Sequence, residues 1–329
     1  MDISNVISKS GQINGSLQPS GELGRAGTVI ERNHAVDILK VIAIFGVLII
    51  HSCSGAYSYG VGTFNWSSAV FWGSLTRASV SIFLMCSGVL LLNPEKELPV
   101  RKLYSKNLLR ILIALFFWAM AYKVFGLVTS NSLTTQNLFQ SIKEVLLFKH
   151  ESHLYYLHII ILVYVFLPVT RILTRNATRR ELQYLIILWF ILGIIYPTAK
   201  HFWPFTLLSG IPSQWLMNMA YASIGYGILG YYLQKYAIRK KEVYFLLLAI
   251  GFAGVFAGTW IMSVEQGSLY EVFLEGMSPC VALMAVGIFG LVTCFAKPGT
   301  KGGSFVTRIS NASFCIYLVH IFFIYIFKK

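Results

Sequence analysis

Acidic residues are scarce in this chain, with 13 Asp and Glu among 329 residues, and all charged residues together reach only 12%. A water-soluble globule of this size carries roughly a quarter charged residues. With 56% hydrophobic residues and a mean hydropathy of +0.66, soluble enzyme folds, fibres and nucleic-acid modules are excluded as readings. Cysteine is also sparse. Cys53, Cys86, Cys280, Cys294 and Cys315 form no CxxC or CxxxC pair and lie in or beside apolar runs. They read as small packing residues, with no disulfide framework and no metal site expected. The histidines at 150, 153 and 158 lack the i, i+4 spacing of a helical zinc pair, which again predicts no metal. Residues 1–31 hold no apolar stretch that could act as a signal-peptide core, and their Ser, Gly, Asn and Gln content predicts a flexible tail.

Long apolar runs are abundant. They fall at about 36–53, 70–92, 108–129, 154–172, 182–197, 215–233, 243–264, 278–296 and 309–327. Nine spans near the ~20 residues needed to cross a bilayer, apolar all round where barrel strands would alternate, predict an all-α polytopic integral-membrane bundle. The net charge of +14 comes from bases spread over loops without a DNA-binding motif, so no nucleic-acid partner is expected. Alternate loops hold those bases. One set contains Lys96, Arg101, Lys102 and Lys106, then Arg175, Arg179 and Arg180, then Lys235, Arg239, Lys240 and Lys241, then Lys297, Lys301 and Arg308. The positive-inside rule puts this set and the N-terminal tail in the cytoplasm and the C-terminus outside. The outward loops are aromatic, with Tyr57, Tyr59, Phe64, Trp66, Trp203, Phe205 and Trp215. Those rings suit an interfacial belt, and their faces also suit sugar rings.

Ionisable groups inside a bilayer cost at least about 2.5–3.5 kcal/mol at mid-depth, so the few present are functional candidates. Lys40 and His51 share the first span. Eleven residues make three helical turns plus ~20°, which sets both on one face about 16 Å apart. Arg77 lies in the outer half of the second span, at a depth like that of His51, and can hold a carboxylate, a carbonyl or a sugar hydroxyl, or brace backbone carbonyls. Ser87-Gly88 reads as a close helix contact in preference to an acylated serine. His153, Tyr155, Tyr156 and His158 open the fourth span and His320 lies in the ninth, where all could line one cavity. Glu275 reads as a solvated loop acid. The run Arg101-Lys-Leu-Tyr-Ser-Lys106-Asn-Leu-Leu-Arg110 fits positive-inside placement and also a basic mouth for a phosphorylated cytosolic donor.

From Arg32 onward the chain resembles the membrane acyltransferase 3 family. The marks are Asp37 with Lys40-x10-His51, the segment Arg77-A-S-V-S-I-F-L-M-C-S-G, K-N-L-L-R-I-L at the third span, H-L-Y-Y-L-H at 153–158, G-Y-G-I-L-G-Y-Y-L at 225–233 and I-S-N-A-S-F-C-I-Y-L-V-H at 309–320. The resemblance implies a membrane acyltransferase domain over 32–329 that takes an acetyl or other acyl group from cytosolic acyl-CoA. It implies delivery to a hydroxyl of a cell-envelope or exported polysaccharide, or its lipid-linked precursor, at the bacterial inner membrane. His51 would then be the essential histidine, with Arg77 supporting it and Lys40, Lys106 and Arg110 favouring the CoA phosphates. A neutral imidazole can accept the proton of an attacking sugar hydroxyl, and a fixed cation stabilises developing negative charge. Asp37 is fourteen residues from His51, too far along the helix for a Ser-His-Asp triad. The family shows ten core helices, so the nine here imply that a final one is missing, and Asn107 stands where members often have a second arginine. The rival from another class is a transporter or flippase for a glycan or small acid, with Arg77 and His51 as its substrate or proton site. A third reading is the membrane half of a sensor.

Overall fold

The computed structural model describes residues 32–208, 210–236, 238, 240–296 and 303–327. The expected tail at 1–31 and the basic residues Arg239, Lys297 and Lys301 lie outside the described residues. Among the described residues every regular element is helical. In chain order the helices are α1 His34–Cys53, α2 Phe64–Thr76, α3 Ser79–Leu91, α4 Val100–Lys102, α5 Leu109–Thr129, α6 Thr135–Leu146, α7 Tyr155–Asn176, α8 Arg179–Phe190, α9 Tyr196–Ala199, α10 Met219–Tyr236, α11 Lys241–Gln266, α12 Pro279–Phe295 and α13 Ser304–Phe327. Eight helical segments are long and apolar enough to cross a membrane. The chain is a multi-pass membrane protein. The predicted span at 215–233, the one not among these eight, exists as α10, whose tyrosines and glycines make it less apolar than the eight, and half of whose 18 residues are buried inside the bundle.

Local chemistry sets the helix starts. Asn33, Thr63 and Ser278 each accept a hydrogen bond from the backbone three residues on, opening α1, α2 and α12. Thr178 and Glu181 form a reciprocal capping box at α8. Gly267, at φ +70°, ends α11 in the left-handed conformation that glycine adopts without strain.

Three features depart from uninterrupted spans. The second span breaks at Arg77-Ala78 into α2 and α3. Here Thr76 Oγ1 donates to Trp72 O (2.8 Å) and Ser79 Oγ to Thr76 O (2.6 Å), so hydroxyls compete for carbonyls of the helix ladder. The third span begins at 100 and passes through a π-helical turn at Leu103–Leu108, and a second π-turn, Ile191–Ile195, joins α8 to α9. An amphipathic helix, α6, follows α5. It buries Ser141 and Val145 and exposes Phe139, Ile142 and Leu146. Lys123 of α5 holds it through Glu144 (2.9 Å), and the same ammonium reaches Glu151 at 3.4 Å. The hydrogen bond from Lys123 holds the Glu144 carboxyl below the usual carboxylate range.

The core is organised by helices touching backbone to backbone. A Cβ on Gly88 of α3 would run into the backbone of Gly227 on α10, and one on Gly230 would meet the backbone of Met85. The pair α11 and α12 closes in the same way: a Cβ on Gly251 would lie 2.6 Å from Cys280 O, and one on Gly287 would lie 2.6 Å from Leu248 N. Small residues permit such approach where lipid supplies no hydrophobic drive between helices.

The basic segments converge at one end of the bundle. Arg171 donates to the carbonyls of Leu91, Asn93 and Lys96, while Arg179 and Gln183 reach Tyr232 Oη. At the opposite end the turn at 272–278 is tied down: Tyr226 Oη donates to Gly276 O (2.8 Å) and Arg77 Nε to Leu274 O.

Candidate functional site

Lys40 and Arg110 share a cavity of about 300 Å³ with Asn107, Ser87 and, at its far wall, Tyr156 and Tyr317. The cavity thus draws on α1, α3, α5, α7 and α13 and on the π-helical turn. Ordinary small-molecule sites begin near this volume. Its lining is apolar apart from a few polar groups, among them Tyr164 and Ser313. Lys106 is exposed on the π-turn and does not line the cavity; Asn107, its neighbour, does.

Beyond Tyr317 lie three histidines. The His51 ring is 4.9 Å from that of His320 and 6.5 Å from that of His153, and the last two rings are 6.1 Å apart. Tyr317 links the cavity to this cluster: it lines the cavity, its hydroxyl donates to His153 O (2.5 Å), and its ring lies 5.8 Å from that of His320. Tyr122 closes the cluster from α5, its ring 4.3 Å from His153 and its hydroxyl donating to Leu318 O. The Arg77 Nε braces the Leu274 carbonyl, so the bracing considered for it is present. Arg77 sits at the break between α2 and α3.

The other candidates sort as follows. Of the fourth-span group, Tyr156 lines the cavity and His153 joins the cluster. His158 instead pairs with His150, whose Nδ1 is 3.0 Å from His158 Nε2. Ser87 Oγ donates to Phe83 O (2.9 Å), an occupied hydroxyl at a tight helix contact. Asp37 is buried and accepts from Ser310 Oγ at 2.6 Å, joining α1 to α13. Glu275 is exposed. Among the described residues no group of three or more His, Cys, Asp or Glu side chains could hold a metal. Sequence reasoning noted Asn107 only as a departure from the family's arginine, missed Tyr122 as a neighbour of the site and gave Tyr317 no role. A polar residue at mid-depth of an apolar span was the available signal for the two tyrosines.

The arrangement sets two bases and several polar groups around an apolar cavity and, past Tyr317, a cluster of three imidazoles. Neither curated proteins nor solved structures give a match to the chain. A family model described as an acyltransferase domain matches residues 33–329, which takes in both the cavity and the histidine cluster. The lysine-to-histidine line of α1 and the match over the whole described bundle lead to one conclusion: the chain belongs to the membrane acyltransferase 3 family and is an acyltransferase.

Proposed function

We propose that this acyltransferase moves an acyl group, most simply acetyl, from cytosolic acyl-CoA to a hydroxyl of a cell-envelope or exported polysaccharide or its lipid-linked precursor. The observation that carries the reading is the alignment of the cavity with the histidine cluster along the Lys40–His51 face of α1. The bases of the loops face the cytoplasm of a bacterial inner membrane, with the N-terminus on that side. Lys40 and Arg110 meet the donor's phosphates, Lys106 adds charge at the rim, and the acyl arm extends past Ser87 toward Tyr317. His51 takes the proton of the acceptor hydroxyl as its oxygen bonds to the acyl carbon. The carbon–sulfur bond then breaks and the proton passes to the departing sulfur. Arg77 polarises the carbonyl or positions the acceptor. The occupied hydroxyl of Ser87 favours direct transfer over an acyl-serine intermediate.

Mass spectrometry of envelope glycans from cells with and without the gene tests this. The expected result is an acetyl-sized increment that depends on the gene and is released by mild alkali; identical glycans in both would overturn the reading. The role of Arg77 has its own test. Arg77→Ala is expected to lower transfer by about 10²-fold or more, the usual cost of losing a stabiliser of developing oxyanion charge. Arg179→Ala, which loses only contacts with Tyr232 and Tyr236 outside the cavity, stays near the wild-type rate. Equal losses in the two, at equal amounts of folded protein, would leave Arg77 a purely structural brace.

A further inference from the structure

His320 is 2% exposed, and its ring is the nearest histidine ring to His51. Its Nδ1 lies 2.6 Å from Tyr317 O. A carbonyl oxygen only accepts, so neutral His320 carries its proton on Nδ1 and a lone pair on Nε2. That Nε2 is buried and has no hydrogen-bond partner among the described residues. An acceptor is therefore held, with its tautomer set, beside the proposed base. His153 Nε2 is also buried without a partner, but among the described residues no hydrogen bond sets its tautomer as Tyr317 O sets that of His320. Arg77 only donates, and Asp37 is engaged by Ser310 more than three helical turns away. His153 is farther off, at 6.5 Å, and it is its backbone carbonyl that takes the Tyr317 hydroxyl.

We infer that His320 is a positioning residue for His51, accepting at Nε2 a hydrogen bond from the His51 N–H that points away from the acceptor hydroxyl. The inference rests on His51 being the base. His320 does for this imidazole what the carboxylate does in a Ser-His-Asp triad: it selects the tautomer whose bare nitrogen faces the substrate and accepts from the imidazolium once formed. A neutral acceptor suits the site, because an unpaired carboxylate is costly at this depth. No proton moves to His320. The hydroxyl proton goes to His51 and on to the sulfur, as the C–O bond forms and the C–S bond breaks. The rings are tilted by 54°, and His320 is pinned by Tyr317 while His51 is only partly buried, so the His51 ring is the one that turns to make the bond.

Three substitutions separate this role from packing. His320→Phe keeps the ring shape, His320→Asn keeps a donor near the Nδ1 position, and His320→Gln keeps an acceptor near the Nε2 position. In membranes that make the envelope glycan, supplied with radiolabelled acetyl-CoA, the Phe and Asn variants are expected to lose about 10²-fold or more in kcat with little change in KM for the donor. The Gln variant retains about ten times the rate of the Phe variant. Equal rates for Phe and Gln at equal folded protein would overturn the proposal while leaving His51 as base; full activity in His51→Ala would overturn the base assignment itself. Nitrogen-15 spectra of histidine-labelled protein in membranes supply a readout that needs no acceptor. His320 is expected to show a protonated Nδ1 and a bare Nε2, with His51 in a single tautomer that becomes mixed in His320→Phe. A His320 protonated at Nε2, or a His51 signal indifferent to the Phe substitution, would overturn the inference.

Discussion

His51→Ala is expected to abolish acyl transfer while the protein stays in the membrane at its normal level. The side chain makes ring contacts with His153 and His320, and it is only partly buried, so its removal costs the bundle little packing. The chemical loss is large. A positioned general base is worth about 10²–10⁴-fold in rate, and among the described residues the neighbouring imidazoles of His153 and His320 are both buried and Asp37 is bonded to Ser310. Incorporation of labelled acetyl into the glycan, normalised to folded protein, is the measurement. A well-expressed variant with undiminished transfer would remove His51 from the mechanism.

Gly88→Leu is expected to eliminate folded protein. Overpacking costs roughly 1–3 kcal/mol where neighbouring side chains can shift, but the first atom a Cβ at Gly88 meets is the backbone of Gly227, which no rotamer change moves. The two helices would have to separate, and Trp189 and Tyr226, packed at 5.1 Å beside that seam, would lose their setting. Gly126→Leu is the companion, because nothing lies within 4 Å of a Cβ built there. Size-exclusion profiles in mild detergent should show a single peak for the Gly126 variant and aggregate for the Gly88 variant. A monodisperse Gly88→Leu would mean that α3 and α10 do not meet as described.

Much of the bundle was legible before any coordinates. Composition and run length give a multi-pass helical protein, and eight of the nine expected runs reappear as segments apolar enough to span. What was not legible has physical causes. The break at Arg77 depends on Thr76 and Ser79 turning back onto the helix ladder, a choice that polar residues in any helix can make or decline. The π-turn at 103–108 adds width to one turn and changes which residues share a face, so Asn107 and Arg110 line the cavity while Lys106 points elsewhere. Counting at 100° per residue does not anticipate that. By contrast Lys40 and His51 sit on uninterrupted helix, where counting works, and the expected common face leads from the cavity to the histidine cluster. The gathering of His51, His153 and His320 from three distant segments is tertiary; the sequence offered each as a costly intramembrane group without saying which would meet. Helix α6 was missed because its apolar face is too short to register as a span.

The glycine seams also decide which part of the protein can yield. Backbone set against backbone resists sliding, because any shift of register drives a Cα into a carbonyl; α3 with α10 and α11 with α12 therefore behave as a fixed jaw. Phe83, Ser87 and Leu90 of α3 present that jaw to the cavity. The facing jaw is built from Ile111, Tyr156, Ile160, Tyr164 and Phe314 on α5, α7 and α13, which meet their neighbours through side chains that can change rotamer. In the cavity of about 300 Å³, that side is the one lined by side chains free of such backbone contacts. The two sides of the cavity thus differ in kind, one set by backbone contact and the other by side chains.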